Sequence, residues 1–404
     1  MQKNRFKLGP ASLITAAFIG PGTVTVCTLA GVEFGFDLLW ALVISILATI
    51  FIQNTAARLS FETELGLVSI IKAKLSNPAL RFLGLALVVS AVFVGNIAYE
   101  AGNISGAMLG LDEFIAPGSI SLGRISLNTN PLIIGLLVSV MIWFGNIEFF
   151  KKLLITIVVL MSIAFIFAAI ATQPSVTDLL KGLFIPSLDA EKTVRILSLV
   201  GTTVVPYNLF LHAALVKDSK KQGISLKQLQ QDTYLSIAIG GLISICIVIA
   251  AASLSGQAIS NARDMGLALE PVLGSYAKHL ISLGLFAAGL SSAITAPLAA
   301  AFVLGESLSW KNDKGSRSFK LTAIGVLVIG FIFASIGYKP VEIIQFAQVA
   351  NGLLLPVIGV FIFWIVNAPN DLNISKPSLL ENVLLLILML FLFFLGMKSL
   401  GFIN

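Results

Sequence analysis

The sequence predicts an all-α integral membrane protein of about 11 spanning helices, arranged as two inverted five-helix halves plus one extra helix. Three observations predict it. Of 404 residues, 57% are hydrophobic and only 11% charged, with a mean hydropathy of +0.97; soluble domains carry roughly 25% charged residues. Apolar stretches of about 20 residues, the length that crosses a bilayer, recur along the whole chain. Two of them are interrupted at mid-length by proline in a polar, helix-breaking context: Ala17-Phe18-Ile19-Gly20-Pro21-Gly22-Thr23 and Thr202-Thr203-Val204-Val205-Pro206-Tyr207-Asn208.

The spans read, in order, as residues 9–34, 38–59, 81–110, 132–148, 152–172, 194–216, 233–255, 272–308, 319–336, 341–366 and 378–399. The first follows Lys3, Arg5 and Lys7 but is too long for a signal peptide and lacks a small-residue cleavage site, so it is expected to be retained. The eighth is long enough to begin or end outside the hydrocarbon. With a cytoplasmic N-terminus, the inner loops hold 18 of the 26 basic residues (Lys3, Arg5, Lys7, Arg58, Lys72, Lys74, Arg81, Lys151, Lys152, Lys217, Lys220, Lys221, Lys227, Lys311, Lys314, Arg317, Lys320 and Lys376). That asymmetry sets the N-terminus inside and the C-terminus outside. A bacterial inner membrane is the expected location.

Spans one to five and six to ten form the halves, residues 1–172 and 194–366, with an extra span in 378–404. No soluble domain or low-complexity tail is expected. An odd number of spans per half makes the halves run in opposite directions, and each half begins with a broken span. Proline inside a helix withdraws one N–H and frees carbonyls, which lipid does not tolerate unless protein or a cavity surrounds them. Paired breaks in corresponding positions point to a transporter's substrate site.

Other classes fit poorly. The pI near 9.3 arises from short inter-span loops rather than from a nucleic-acid groove. Cys27 and Cys246 lie far apart in apolar segments and form neither a disulfide framework nor a metal-ligand spacing. No nucleophile–base pair, zinc spacing or phosphate loop appears, so no enzyme and no cofactor is expected. Broken helices in an inverted repeat favour an occluding carrier over a channel. The expected partners are the bilayer, a small transported substrate and a coupling proton.

The motifs carry a resemblance. Gly9-Pro10, Ile19-Gly20-Pro21-Gly22-Thr23, Ala30-Gly31-Val32-Glu33-Phe34-Gly35 and Leu38-Leu39-Trp40 resemble the first span of the NRAMP metal transporters. Val205-Pro206-Tyr207-Asn208-Leu209-Phe210-Leu211-His212 is similar to their sixth-span Met-Pro-His-Asn-Leu-Tyr-Leu-His. Ala287-Ala288-Gly289-Leu290-Ser291-Ser292-Ala293-Ile294-Thr295 is similar to their eighth span, and Ala347-Gln348-Val349 with Leu355-Pro356 more loosely to their tenth. The resemblance implies the LeuT-type fold and alternating access.

It also implies a metal site, and there the chain departs. The family's ligands are an Asp and an Asn in the first break and a Met in the second; here Gly20, Thr23 and Val205 stand in those places. A carboxylate supplies charge and a thioether supplies the softness that selects transition metals. Without them the expected substrate-binding set is backbone carbonyl at Gly20 and Val205, the hydroxyls of Thr23, Thr202 and Thr203, and the Gln348 amide. Pro21, Gly22, Pro206, Tyr207 and Asn208 shape the breaks. Such a neutral oxygen site suits a hard divalent cation that keeps its waters, such as Mg²⁺, more than the family's usual metals. The alternative is a small organic, zwitterionic or anionic solute, because the half-helix after Gly22 aims a positive N-terminus at the site. An acid other than Glu100 facing the space between Gly20 and Val205 would decide for the cation.

By the same resemblance Glu100 and His212 match half of a proton path. Its other members are replaced by Ile97, beside Asn96, and by Tyr207. A buried structural pair is the competing reading. Elsewhere the expectations are plainer. Asn208 satisfies carbonyls freed by Pro206; Glu33 is a solvated vestibule charge. Gln53 and Asn54 bond across helices. Ser291, Ser292 and Thr295 beside Gly289 serve close packing, His279 has no role, and Trp40, Trp143, Trp310 and Trp364 anchor at the interface.

Overall fold

A computed structural model describes residues 19–122, 125–144, 148–310, 316–368, 372 and 374–402. Its helices are α1 (Pro21–Phe34), α2 (Leu39–Thr63), α3 (Leu67–Lys74), α4 (Pro78–Leu111), α5 (Thr129–Phe144), α6 (Glu148–Ala171), α7 (Val176–Phe184), α8 (Ala190–Thr203), α9 (Pro206–Val216), α10 (Leu226–Ala252), α11 (Ala262–Gly266), α12 (Glu270–Leu273), α13 (Ala277–Ser307), α14 (Arg317–Ser335), α15 (Pro340–Asn367) and α16 (Leu379–Ser399). Strands β1 (Ser119–Leu122) and β2 (Ile125–Asn128) pair antiparallel between α4 and α5.

Among the described residues nine helical segments are long and apolar enough to cross a membrane, and α5 is a shorter apolar helix. With α1 as the second half of the first span, each expected span is matched by a helix; residues 9–18 and the Gly9-Pro10 motif lie outside the described residues. The eighth span is preceded by short helical turns over residues 262–276, which accounts for its length. The sequence reading missed α3, α7 and the hairpin, all too short to leave a span-length apolar signal.

Local chemistry sets the boundaries. Asn77 caps α4 by accepting from the backbone of Ala79 and Leu80, with Pro78 at the first helical position, where its missing N–H costs nothing. Ser225 with Gln228 and Ser378 with Glu381 close capping boxes that start α10 and α16.

The helices sort by what they bury. In the segment α8–α9, 83% of the most apolar window is buried, against 22% in α16; the broken span is central and α16 peripheral. α4 is the hub of one group and packs on α13, α14 and α15. α1, α2, α8 and α10 form a second group, and α15 lies against both α4 and α8. Arg58 pairs with Glu381 at 3.4 Å and ties α16 to α2. Asn54 Nδ2 donates to the Tyr234 hydroxyl at 3.1 Å, the expected bond between helices. Gln53 Oε1 has no such partner among the described residues. Trp40 corrects its expectation: it is 3% exposed and packs edge-on against Phe391, so it is core rather than an interfacial anchor. Trp143 is exposed, with the Lys320 ammonium over its ring. Gly289 approaches the backbone of Asn103 and Ala107, and Thr295 donates to the carbonyls of Ser291 and Ser292; this is the helix packing expected there.

Candidate substrate site at the helix breaks

The two breaks meet. Gly20 is the extended N-cap of α1, and the chain between α8 and α9 opens at Val204 and Val205 before Pro206 restarts the helix. The Val204 N–H still reaches the Val200 carbonyl, but Pro206 has no N–H to give to the Thr202 carbonyl. Thr23 in the first turn of α1 and Thr202 in the last turn of α8 bring their hydroxyls to 3.0 Å. Two positions 179 residues apart in sequence are thus joined at the centre.

The third wall is α15. The Gln348 amide lies directly over Gly22, where any side chain would displace it. At Gly201 a Cβ would run into the Gln348 backbone carbonyl, so glycine is what lets α8 approach α15 this closely. Gln348 is 1% exposed and its Oε1 has no hydrogen-bond partner among the described residues. A buried orphan acceptor costs about 1–3 kcal/mol, which a bound cargo or water removes. Thr23, Thr202 and Val205 are equally buried, none more than 2% exposed. The structure therefore brings together Gly20, Thr23, Thr202, Val205 and Gln348 around Pro21, Gly22 and Pro206. Thr203 does not join them: its hydroxyl donates to Leu199 in its own helix at 2.7 Å.

Several polar groups around this centre lack partners among the described residues. Both side-chain polar atoms of Asn208 do, so Asn208 does not satisfy freed carbonyls as the sequence reading expected. Asn96 on α4 and Nδ2 of Asn351 on α15 are also without partners, and Asn351 was not singled out from the sequence. Tyr207 packs on Tyr99, ring centroids 5.0 Å apart. Glu100 and His212 are fully buried but form no ion pair with each other. Glu100 accepts a long 3.4 Å bond from Asn103 and lies against Gly330 of α14, while neither ring nitrogen of His212 has a partner. Among the described residues no group of three or more His, Cys, Asp or Glu could hold a metal ion. Cys27 and Cys246 are free and buried.

The ends of the broken spans carry the charges. At the end of α1, Glu33 is solvent-exposed, as expected, but it is also paired: Arg195 of α8 grips it with Nη2 at 2.6 and 2.8 Å and Nε at 3.0 Å, and its Nη1 reaches Gln345 of α15 at 3.2 Å. Lys192 adds an ion pair to Asp37 at 2.8 Å. At the far end of α9, Lys217 faces Glu306 of α13 at 4.0 Å. Sequence reading had no means of pairing residues 162 positions apart.

The sequence matches the family described as natural resistance-associated macrophage protein-like over residues 11–401. The chain belongs to that family. It is 26% identical to the divalent metal cation transporter MntH of Bradyrhizobium diazoefficiens over 365 residues, 86% of this chain and 78% of the relative. It is 26% identical to the MntH of Erwinia tasmaniensis over 385 residues, 90% and 86% of the two chains. The fold is similar to the crystal structure of the Eremococcus coleocola manganese transporter, with TM-score 0.71, 21% identity and coverage of 97% and 85%. It is similar also to Mhp1, a nucleobase-cation-symport-1 family transporter, with TM-score 0.52, 14% identity and coverage of 97% and 89%. The architecture is the LeuT-type fold, and the chain is a membrane transporter rather than an enzyme.

Proposed function

We propose that this protein is a secondary transporter of a divalent inorganic cation, working by alternating access, with a site altered from the family's usual one. The observation that carries the reading is the unpartnered, buried Gln348 Oε1 beside the Thr23–Thr202 pair where both breaks meet. Its acceptors are neutral oxygens, two hydroxyls and one amide; the Gly20 and Val205 carbonyls already accept from the Val24 and Asn208 N–H groups at 3.2 and 3.1 Å and offer a cargo only their second lone pairs. Neutral oxygens cannot replace the charge of a carboxylate, so the ion keeps part of its hydration shell and binds as a hard cation does. The MntH relatives are named as divalent metal cation transporters, which supports the cargo class. The lost Asp, Asn and Met argue against the Mn²⁺ and Fe²⁺ selectivity usual in the family.

In this reading residues 1–172 and 194–366 are the inverted repeats and 378–404 adds the extra span. The N-terminus is cytoplasmic in a bacterial inner membrane, so the Glu33 end faces out and the Glu306 end faces in. Glu100 and His212 are the coupling candidates: each is buried, ionisable and inside a span.

The test is uptake of Mg²⁺ and Mn²⁺ into proteoliposomes against protein-free vesicles. Saturable Mg²⁺ uptake that falls several-fold in Thr23→Ala and Gln348→Ala supports the reading. Absence of saturable uptake of either ion would sink it and turn attention to small organic solutes. Acidification of the lumen with uptake, lost in Glu100→Gln, would support proton coupling.

A further inference from the structure

The inner end of the broken sixth span is held by a group of charges that the central site does not use. Glu306 stands in the last turn of α13 with a side chain only 6% exposed. Its carboxylate meets two other elements. The first is α3, whose N-cap is Gly66 and which has no capping side chain of its own. A Cβ at Gly66 would strike the carboxylate, and Ser69, the third residue of α3, lines the same cavity as Glu306. Glu306 is thus the missing cap of α3, an anion seated on a helix N-terminus. The second element is α9, whose C-cap Lys217 places Nζ 4.0 Å from Oε1. Lys72 of α3 binds the same turn of α13 by donating to the Glu306 carbonyl at 2.7 Å and the Ser309 hydroxyl at 2.8 Å. A cavity of about 270 Å³ opens beside these groups, bordered also by Glu64 and Trp310.

The two attachments differ in kind. Toward α3 the carboxylate lies against the helix start at Gly66, and Lys72 of α3 also holds the Glu306 backbone carbonyl. Toward α9 it has one ammonium at the outer limit of an ion pair, on a lysine whose side chain is 25% exposed. Separating Lys217 therefore leaves Glu306 capped and gives Lys217 to water, whereas moving α3 would strand a buried carboxylate. We propose that Glu306 is a positioning residue for transport, a latch fixed to α13 and α3 that holds the end of α9 through Lys217. The inner end opens when Lys217 parts from it. The cavity is the space into which the α9 end is released.

This inference rests on the alternating-access reading above, but its test needs no cargo. Hydrogen exchange of the full-length protein in lipid nanodiscs is compared for wild type, Lys217→Met, Lys217→Arg and Glu306→Gln. Loss of a partly exposed ion pair predicts about threefold faster exchange over residues 206–216 in Lys217→Met. Residues 67–74 should be unchanged, and Lys217→Arg should exchange like wild type. Glu306→Gln should speed both segments. Unchanged exchange of 206–216 in Lys217→Met, equal acceleration of 67–74, or failure of arginine to substitute would each overturn the latch. If instead the transport reading fails, wild type shows no cation uptake while these exchange differences stand.

Discussion

The two ends of the broken spans are closed by different chemistry. At the Glu33 end a guanidinium makes three short contacts to one carboxylate and a fourth to Gln345, joining α1, α8 and α15. At the Glu306 end one ammonium stands 4.0 Å from a carboxylate already seated against the start of α3 at Gly66. A planar fork bound in bidentate fashion is rigid and directional; an ammonium on a four-carbon stem is neither. The difference is that α1 and α8 are tied to each other at the Glu33 end, while the end of α9 is tied to its surroundings by a single long contact.

Between the ends, Gly201 sets how closely α8 and α15 approach, and it carries the largest expected effect. The neighbour that a Cβ would meet is the Gln348 backbone carbonyl, which no rotamer change can relieve. Gly201→Ala should therefore destabilise by about 3 kcal/mol and displace Gln348 from Gly22. A fall in the thermal unfolding midpoint in detergent, larger than that of any end variant, checks it; an unchanged midpoint would mean that the helices separate freely at that level.

Breaking the tight end comes next. Arg195→Met leaves Glu33 with water on one side only, because its side chain is 38% exposed. Bonds to charged groups contribute about 1.5–3 kcal/mol each when buried, and partial exposure brings the whole clamp toward the lower figure. Exchange over residues 31–38 should accelerate about tenfold, with no change over 206–216. Equal acceleration at both ends would erase the distinction between them.

How much of this was legible beforehand divides along the same line. Span positions, the breaks at Pro21 and Pro206, and the meeting of Thr23, Thr202 and Gln348 were readable, because apolar length and proline act locally and the family motifs set the correspondence. The ends were not. Glu33 reads as a vestibule charge until Arg195 is placed beside it, and Glu306 carries no motif. Ion pairs join residues remote in sequence, and a lone charge near a span end looks the same whether solvated or gripped. Asn208 failed for a related reason: proline frees carbonyls, but which way a neighbouring amide turns depends on packing. Trp40 was misplaced because an aromatic near a span end fits the interface as well as a helix–helix contact.

Gly66 tests the loose end from its fixed side. In Gly66→Ala the neighbour is the tip of the Glu306 side chain, which can rotate away where a backbone cannot. Losing the cap contributed by Glu306 should cost about 1 kcal/mol, less than the Gly201 change. Exchange over 67–74 should rise and, if the latch is right, that over 206–216 with it.

Ionic strength gives the smallest effect and compares the ends without any mutation. Near Lys217, Lys220 and Lys221 reach Glu64 at 3.6 and 3.4 Å with lysine side chains 56% and 63% exposed, so salt reaches these pairs freely. The Arg195 side chain is 11% exposed and its Glu33 partner 38%, so the guanidinium is the shielded member of that pair. Raising salt from 0.1 to 1 M shortens the screening length from about 10 to about 3 Å. Exchange over residues 216–223 should then quicken by less than about threefold, while that over 31–38 holds steady. If the Glu33 end responded to salt as much as the other, its clamp would be no more than a pair of surface charges. The tighter closure would then have to come from the packing of α8 on α15 at Gly201 alone.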